Sequence, residues 1–428
     1  MAVLFYNFFI YLYGIGARLL APFNPKAKLW LNGRKKLFAR IEREWRELQK
    51  IPNRGPVIWM HCASLGEFEQ GRPIIEGIKQ HNRPARIIIT FFSPSGYEVR
   101  KNYAGADLIC YLPIDSAKNA RRFVDLIRPD LVLWVKYEYW YYFLRELKNR
   151  NIPLILISGL FRRDQAFFKW YGSLHRSMLG FFRHLFLQKQ ASAELLSTLP
   201  AVPSYTVNGD TRFDRVAAIA GTFSPIPEID AFCGNHPVIV AGSTWQEDEE
   251  ELDHYANTHQ DIRFIIAPHE IDEAHLKTTE QLFTNTVRFS KWKSTYNNPT
   301  IPKNAAANVL IIDNIGMLSK LYHYATIAYV GGGFGNDGIH NILEASVYGK
   351  PVFFGPVFDK FWEAIGLLEA GGAYTAGNAL DLEKTMNRLL TDKQEYEAAC
   401  KAALDYTNQN RGATEAILRY IENELSLW

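Results

Sequence analysis

The stretch from Pro56 to Gly71, "PVIWMHCASLGEFEQG", decides the fold. An apolar run, "PVIWM", passes into a short polar turn, and a helical pattern comes after the turn. Ser64 and Glu67 stand three residues apart, which is the spacing of a capping box, where a serine and a glutamate bond the backbone at a helix start. The stretch therefore predicts a buried strand, a tight turn and a helix in succession.

Runs of the same kind recur along the chain, separated by helical patterns at a spacing typical of βαβ units. Runs this apolar imply parallel strands that helices cover on both faces. We therefore predict an α/β protein made of two tandem Rossmann-like domains facing a cleft. The first series of runs is 56–64, 85–93, 107–115, 130–138, 153–159, 184–189 and 204–209, and the second is 238–244, 262–269, 285–290, 308–314, 326–333 and 351–356.

A proline-rich stretch without such runs, "TFSPIPEIDAFCGNHP" (222–237), separates the two series and suits a linker. The length of 428 residues is also too great for one ordinary core. We therefore predict an N-terminal segment (1–50), a first Rossmann-like domain (51–220), a linker (221–237) and a second Rossmann-like domain (238–428). The last helix of the second domain could pack back on the first.

The charge and cysteine content exclude several classes of protein. A formal net charge of +3 argues against a general nucleic-acid binder, so we predict no nucleic-acid partner. The four cysteines are scattered, with no C-x-x-C pair and no neighbouring histidine at metal spacing. A reduced, cytoplasmic compartment fits this pattern.

The N-terminal segment has a composition of its own. Residues 1–50 hold ten Lys or Arg against three Glu, a net charge of +7. Residues 1–17 carry no charge, and the basic residues come after the apolar ones, which is the reverse of a secretory signal. The segment fits a short membrane anchor or a helix lying in the membrane interface. The alternative is a buried first helix of the globular domain.

The second series contains a glycine-rich stretch, "YVGGGFGNDGIHNILEASVYGKPVFFGP" (329–356). Gly331 to Gly333 close a predicted strand, where bare backbone can approach a phosphate or sugar. A helix should start near His340 or Asn341 and carry Glu344, whose carboxylate can accept two ribose hydroxyls. The alternative is a plain glycine-rich loop in which Glu344 is a favourable first-turn acid.

Other polar residues end predicted strands, where ligands of open α/β sheets bind. Ser243 and Thr244 end the first strand of the second domain, and they either contact a phosphate or, with Glu247, cap a helix. His269 comes after the next strand, as a ligand or as a satisfied polar residue. Glu138 ends a first-domain strand and either pairs with a cation or faces the cleft.

Glu67 itself has two interpretations. As a cap, its carboxylate is occupied by the Ser64 amide. As a general base, it must come within about 2.6 to 3.2 Å of an acceptor hydroxyl in the complex. Gly66 leaves room for a bulky substrate over the helix start. Spacing alone does not choose between the two.

Several motifs in one order resemble those of a known family. The chain resembles the 3-deoxy-D-manno-octulosonic acid (Kdo) transferases of lipopolysaccharide synthesis, which are inverting glycosyltransferases with the two-domain glycosyltransferase B fold. The resemblance covers nearly the whole chain. The motifs are "WMHCASLGEFEQGRPIIEGIK", "TFFSPSGYE", "LPID", "RPDLVLWVKYEYW", "ISGLF", "VNGDTRFD", "AGSTWQEDEE" and "HNILEASVYGKPVFFGP".

By that resemblance, the donor is CMP-Kdo and the acceptor is the tetra-acylated glucosamine disaccharide precursor of lipid A. Glu67 takes the general-base position, with Ser64, Gly66 and Glu138 on the acceptor side. The family needs no metal or other cofactor for transfer, and we expect none here. The residues expected on the donor side are Arg212, Ser243, Thr244, His269, Gly331, Gly332, Gly333, Asn341 and Glu344.

The chain departs from the family pattern at several positions. The family commonly has A-P-R-H after the second strand of the second domain, whereas residues 267–270 here are "APHE". Either His269 takes over part of the Arg or His function, or the phosphate charge is met elsewhere. Further departures, at positions where Pro, Asn, Gly and Pro are usual, are Tyr141, Tyr142, Ile339 and Ile342. They suggest a divergent branch rather than a different reaction.

The resemblance also implies a location. An acylated acceptor stays in the bilayer, so the expected partner is an anionic inner-membrane surface, with the protein held at its cytoplasmic face by the N-terminal segment. Two rival interpretations are kept. One is another enzyme of this fold that uses a UDP-sugar, and the other is an inactive membrane-bound scaffold of the same fold.

Overall fold

A computed structural model describes residues 2–52, 55–80, 84–136, 138–297, 307–336, 338–425 and 427. The chain forms two compact units: unit 1 is Met1–Arg215 with Arg411–Trp428, and unit 2 is Val216–Asn410. Each unit contains one parallel sheet of seven strands with helices between successive strands. The predicted α/β class with two tandem Rossmann-like domains is therefore confirmed.

The sheet of unit 1 has the order β3-β2-β1-β4-β5-β6-β7, which is the doubly wound order of Rossmann-like folds. Its strands are β1 (Val57–Cys62), β2 (Arg86–Phe91), β3 (Leu108–Tyr111), β4 (Leu131–Val135), β5 (Leu154–Gly159), β6 (His184–Leu187) and β7 (Ser204–Val207). Its helices are α1 (Ala2–Leu20), α2 (Pro25–Arg34), α3 (Leu37–Lys50), α4 (Leu65–Gln80), α5 (Pro94–Arg100), α6 (Ala117–Ile127), α7 (Tyr141–Asn149), α8 (Ser173–Leu179), α9 (Gln190–Ser197) and α10 (Thr211–Gly221), whose last residues belong to unit 2, with α20 (Ala413–Leu425) at the end of the chain.

The sheet of unit 2 has the order β10-β11-β9-β8-β12-β13-β14. Its strands are β8 (Val238–Thr244), β9 (Arg263–Pro268), β10 (Thr286–Arg288), β11 (Val309–Ile311), β12 (Ile327–Val330), β13 (Val352–Phe354) and β14 (Ala373–Thr375). Its helices are α11 (Pro227–Cys233), α12 (Gln246–Thr258), α13 (Glu273–Leu282), α14 (Phe289–Asn297), α15 (Leu318–Leu321), α16 (Leu343–Ser346), α17 (Trp362–Glu369), α18 (Ala379–Thr391) and α19 (Lys393–Gln409), and single 3-10 turns lie at Ala166–Phe168 in unit 1 and Tyr322–Tyr324 in unit 2.

The predicted runs become strands because both faces of each central strand are buried. Along β1, Ile58, Trp59 and Met60 are all fully buried, although their side chains point to alternate faces. Every run of the two predicted series contains a strand. β14 is the strand that the sequence does not predict.

Helix α20 completes the core of unit 1. Its Ile417 and Leu418 lie in the same buried cluster as β1 and α4, and a Cβ at Gly77 would come 2.5 Å from Leu418. Asp214 caps the start of α20, since its carboxylate accepts the amides of Gly412 at 2.6 Å and Thr414 at 2.7 Å. The last helix therefore packs on the first sheet.

The N-terminal segment divides into an exposed and a buried part. Helix α1 has no buried residue, so its interpretation as a buried first helix is wrong. Among the described residues, it is the one helix that is long and apolar enough to cross a membrane, by length and composition. Helix α3, in contrast, places Leu37, Ile41 and Trp45 in the core of unit 1.

The stretch predicted as a linker, 221–237, contains helix α11. Pro227 is at its first turn, where a proline fits, and Ile229 and Phe232 are buried three residues apart on one face. The Ile226 amide donates to the Tyr324 hydroxyl at 2.6 Å. Most of this stretch is thus a folded part of unit 2.

Candidate active site

Glu67 lies where β1 ends and α4 begins. Its side chain is 8% exposed, and its carboxylate accepts the amide of Ala63. The Glu67 amide reaches the Ser64 hydroxyl at 3.5 Å. The observed cap therefore runs to Ala63, one residue before the Ser64 amide that a capping box would use.

Space is open above this helix start. A Cβ built on Gly66 would meet no atom within 4 Å, so the first turn of α4 is accessible at this residue. The neighbouring Cys62 thiol is fully buried. This burial, and to a smaller degree the charge of Glu67, raises the pKa of the thiol well above the usual range. The Cys62 thiol therefore stays protonated.

Glu138, the second predicted carboxylate, comes after β4 next to β1. Its Oε2 accepts the Trp140 indole N–H at 2.9 Å and lies 3.7 Å from Nε2 of His61. His61 is fully buried, and this burial lowers its pKa, so its ring is neutral. Nδ1 of His61 is 2.9 Å from the Thr90 hydroxyl. Sequence reasoning missed His61, although it lies in the quoted stretch.

A buried cation was also missed. The Arg34 guanidinium lies 4.0 Å from the Trp30 ring centroid and 4.9 Å from that of Phe92, and it donates to the Phe92 carbonyl at 2.9 Å. Burial lowers its pKa to about 9, while Tyr111 and Glu138 oppose that change. Phe92 is 58 residues from Arg34 in the chain, so no local sequence pattern indicates this contact.

Asp115 connects helix α1 to the first turn of helix α7, which comes after Glu138 in the chain. It is buried and accepts the Tyr6 hydroxyl at 2.5 Å and the amides of Tyr142 and Phe143 at 2.9 and 3.1 Å. The Tyr141 amide in turn donates to the Tyr6 hydroxyl at 3.2 Å. Burial raises the pKa of Asp115 to about 6.

Arg212, predicted on the donor side, is in unit 1 at the start of α10. Its guanidinium bonds the buried Asp210 carboxylate at 2.9 Å. Gln70 of α4 and Gln188 also donate to Asp210, at 3.1 and 3.0 Å. Asp210 thus fixes Arg212 to the helix that carries Glu67.

In unit 2, Ser243 and Thr244 end β8 with different orientations. Thr244 is fully buried and donates its hydroxyl to Glu249 at 2.8 Å, so this hydroxyl serves the interior of unit 2. Ser243 is partly exposed and has a positive φ of 54°, an uncommon conformation outside glycine.

The three predicted glycines form a close-packed turn after β12. A Cβ on Gly331 would come 2.4 Å from the Ser243 carbonyl, and one on Gly333 would come 2.6 Å from the backbone of Gly355. Gly332 has a φ of 95°, and its amide donates to the buried Asp248 at 2.8 Å. Packing therefore requires all three glycines, and Asp248 takes one of their amides.

Three aromatic side chains stack at the strand ends of unit 2. His269 comes after β9, is exposed, and has ring centroids 4.6 Å from Trp245 and 4.4 Å from His340. The Trp245 indole N–H reaches Nε2 of His340 at 3.2 Å. The structure thus brings His269 together with two residues that sequence reasoning did not select.

The predicted helix after the glycine turn is short. α16 covers Leu343–Ser346, two residues later than expected, and Gly349, with a φ of 64°, ends the turn after it. The Asn341 side chain donates to Glu344 Oε1 at 3.1 Å. These two predicted donor-side residues are therefore bonded to each other.

No group of three or more His, Cys, Asp or Glu side chains that could hold a metal ion occurs within the described residues. A cavity of about 950 Å³ runs along α3 and residues 101–109, beside the start of β3. It is remote from the carboxyl ends where Glu67 and Glu138 lie.

Comparison with known proteins shows which family this chain is similar to. Residues 35–215 match the family model described as 3-Deoxy-D-manno-octulosonic-acid transferase (kdotransferase). A 3-deoxy-D-manno-octulosonic acid transferase of Aquifex aeolicus (strain VF5) is 27% identical over 365 residues, which cover 83% of this chain and 92% of that protein. A bifunctional glycosyltransferase/methyltransferase of Fusobacterium nucleatum is 30% identical over 309 residues, covering 70% of this chain and 47% of its own, so this chain spans about half of that relative.

The fold agrees with solved structures. The UDP-GlcNAc 2-epimerase of Neisseria meningitidis bound to UDP-GlcNAc matches with a TM-score of 0.59 and 16% identity, over 85% of this chain and 99% of its own. At this identity the match establishes the glycosyltransferase B architecture and nothing about substrate. Taken with the family model over residues 35–215 and the relatives along most of the chain, it leads to one conclusion: this protein is a glycosyltransferase similar to the Kdo transferases.

Proposed function

We propose that this protein transfers Kdo from CMP-Kdo to a sugar hydroxyl of the tetra-acylated lipid A precursor, with inversion at the anomeric carbon. The observation that carries the proposal is Glu67, a buried carboxylate at the end of β1 beside the open space at Gly66, within the segment that matches the family model. A sugar hydroxyl is a poor nucleophile until a positioned base takes its proton.

In the proposed reaction, Glu67 accepts the proton of the acceptor hydroxyl as its oxygen bonds the anomeric carbon of Kdo. The bond from that carbon to the phosphate oxygen of CMP breaks on the opposite face, and CMP leaves with the electron pair. Glu138, fixed by Trp140 and facing His61, binds the acceptor sugar next to the base.

Unit 2 holds the donor in this proposal. The backbone of Ser243 and of the Gly331–Gly333 turn approaches the phosphate, and Glu344 with Asn341 binds the ribose. His269, stacked on Trp245 and His340, takes over part of the Arg or His function of the family. Arg212 of unit 1, fixed by Asp210, stabilises the departing phosphate. No metal ion is needed for these steps.

The proposed location is the cytoplasmic face of the inner membrane. The exposed apolar helix α1 and the net charge of +7 in residues 1–50 support attachment to an anionic surface. Attachment there would bring the acceptor-binding unit to the membrane that holds the proposed acylated acceptor.

The test is a transfer assay in detergent with the acylated precursor as acceptor and CMP-Kdo, UDP-N-acetylglucosamine or UDP-glucose as donor, read by product mass. The expected product is heavier by one or more Kdo residues, with CMP-Kdo alone as donor. A product with a UDP-sugar and none with CMP-Kdo contradicts the proposal, and no product with any donor favours the inactive scaffold.

A further inference from the structure

A groove lies between helix α1, helix α2 and the loop after β2. Its volume is about 370 Å³, and Tyr13, Gly16 and Leu20 of α1 face Trp30 of α2 and Phe92 and Ser93 of the loop across it. We propose that this groove binds one fatty acyl chain of the acceptor, an inference that rests on the proposed function and specifies how its substrate is held.

Aromatic rings form one part of the groove wall. Tyr13, Trp30 and Phe92 contact one another edge to face or tilted, with ring centroids 5.4 to 5.8 Å apart. The Arg34 guanidinium supports both Trp30 and Phe92 through their rings. An aromatic wall held in place in this way suits a hydrocarbon chain.

Gly16 of α1 lines the groove and leaves open space beside the helix. A Cβ built on Gly16 would meet no atom within 4 Å, so the space beside it is open. A larger residue at this position would therefore occupy the groove without displacing its walls.

The groove is next to both acceptor-side carboxylates. The Ser93 amide donates to the Ala63 carbonyl at 2.8 Å, and the Ala63 amide is the one that donates to Glu67. The Phe92 ring stacks on Trp140 at 4.5 Å, and Trp140 donates to Glu138 at 2.9 Å. A chain in the groove would therefore leave its sugar at the start of α4.

Charge and exposure favour an acyl chain of an anionic glycolipid as the occupant. Lys26 lines the groove, is exposed, and makes no hydrogen bond or ion pair with any described residue, so it suits a phosphate on the lipid sugar. The outer face of α1 exposes Leu19 at 70% and Leu20 at 57%. A chain could pass from a bilayer around α1 into the groove without crossing water.

The test fills the groove with Gly16→Leu and uses Gly14→Leu as a matched control. Both glycines are in α1 with open space beside them, but Gly14 lines a different cavity, near Asp115 and Tyr142. Binding of radiolabelled acylated precursor to the full-length protein in detergent micelles, without donor, gives Kd for each variant. Transfer from CMP-Kdo is measured in parallel.

We expect Gly16→Leu to weaken binding of the acylated precursor by about tenfold or more, the effect of losing about two buried chain methylenes, and Gly14→Leu to bind like the wild type. Equal binding by all three proteins, or equal losses in both variants, would contradict the proposal that the groove binds an acyl chain. If the wild type binds the precursor but transfers no Kdo, the proposed function fails. The difference in binding between the two variants still tests whether the groove holds an acyl chain.

Discussion

The two units share one architecture but present different chemistry at the ends of their strands. Unit 1 presents carboxylates, Glu67 and Glu138, each bonded by one neighbouring N–H donor and set among buried aromatic rings. Unit 2 presents backbone, with the Gly331–Gly333 turn tied by Asp248, and a histidine stack. Under the proposed function, the same βα unit would supply a base in one domain and an anion site in the other, depending on the residues of the turn between strand and helix.

The largest expected effect is on the base of unit 1. Glu67→Gln should lower kcat for Kdo transfer by about 10² to 10⁴, because the amide cannot accept the proton. CMP-Kdo binding, which we propose for unit 2, should not change in equilibrium dialysis. Wild-type turnover in the variant would refute the assignment of Glu67 as the general base.

The matched control is Glu69→Gln, which removes a charge from the same helix turn. Glu69 pairs with Arg100 at 2.7 Å on a partly exposed surface, so kcat should stay within a few fold of the wild type. An equal loss of kcat in both variants would mean that the charge on α4, rather than Glu67, matters.

A second prediction concerns pH and Asp115 of unit 1. Its pKa is about 6 in the folded protein against an ordinary value of 3.8, so the folded state binds this proton more tightly. The resulting stability is fully present below about pH 4 and is lost as pH rises through 6, a change of about 3 kcal/mol at most.

The measurement is the free energy of unfolding in urea at pH 5 and pH 7.5, for the wild type and Asp115→Asn. The variant should lack this part of the pH dependence, because asparagine does not titrate. The same change in both proteins between the two pH values would show that Asp115 is not responsible.

A third prediction concerns a substitution that disrupts the glycine turn of unit 2. Asp248→Asn replaces a carboxylate that accepts the Gly332 amide, the Trp245 amide and the Tyr329 hydroxyl. An amide side chain has one oxygen, so at least one buried donor loses its partner, at about 1–3 kcal/mol. KM for CMP-Kdo should rise, while KM for the acceptor stays unchanged.

The control for this substitution is Glu247→Gln, an exposed neighbour in the first turn of α12, which should change the unfolding free energy by less than about 0.5 kcal/mol. A rise in the acceptor KM of Asp248→Asn would contradict the assignment of the turn to the donor side.

The smallest effect is expected at the histidine stack. His269→Ala should raise KM for CMP-Kdo about two- to tenfold, the effect of losing one ring contact, without lowering kcat. His236→Ala, at an exposed histidine before β8, should leave KM unchanged. An unchanged KM in His269→Ala would place the phosphate contact elsewhere.

The sheets could be predicted because burial on both faces leaves a continuous apolar run, as in β1. Strand β14 was not predicted because Ala373–Thr375 is only three residues long and lies at a sheet edge, where Thr375 is exposed. Helix α11 was not predicted for a related reason, since the prolines around it suggested irregular chain although Ile229 and Phe232 share one buried face.

The candidate site was predictable only in part. The spacing of Ser64 and Glu67 indicated the turn, but it could not give the amide that the carboxylate accepts. Contacts such as Tyr6 with Asp115, 109 residues apart, and Gln70 with Asp210, 140 apart, depend on the folded sheet. No local pattern contains them.

The packing of α20 into the core of unit 1 has a consequence for biosynthesis. Unit 1 begins at the amino end of the chain, yet its core includes Ile417 and Leu418. Unit 2 is a continuous segment whose residues have all been made before α20 emerges from the ribosome. The order of completion is therefore reversed relative to the order of translation: the first domain to be synthesised is the last that can close, and a stalled or truncated chain would leave its sheet uncovered beside α4.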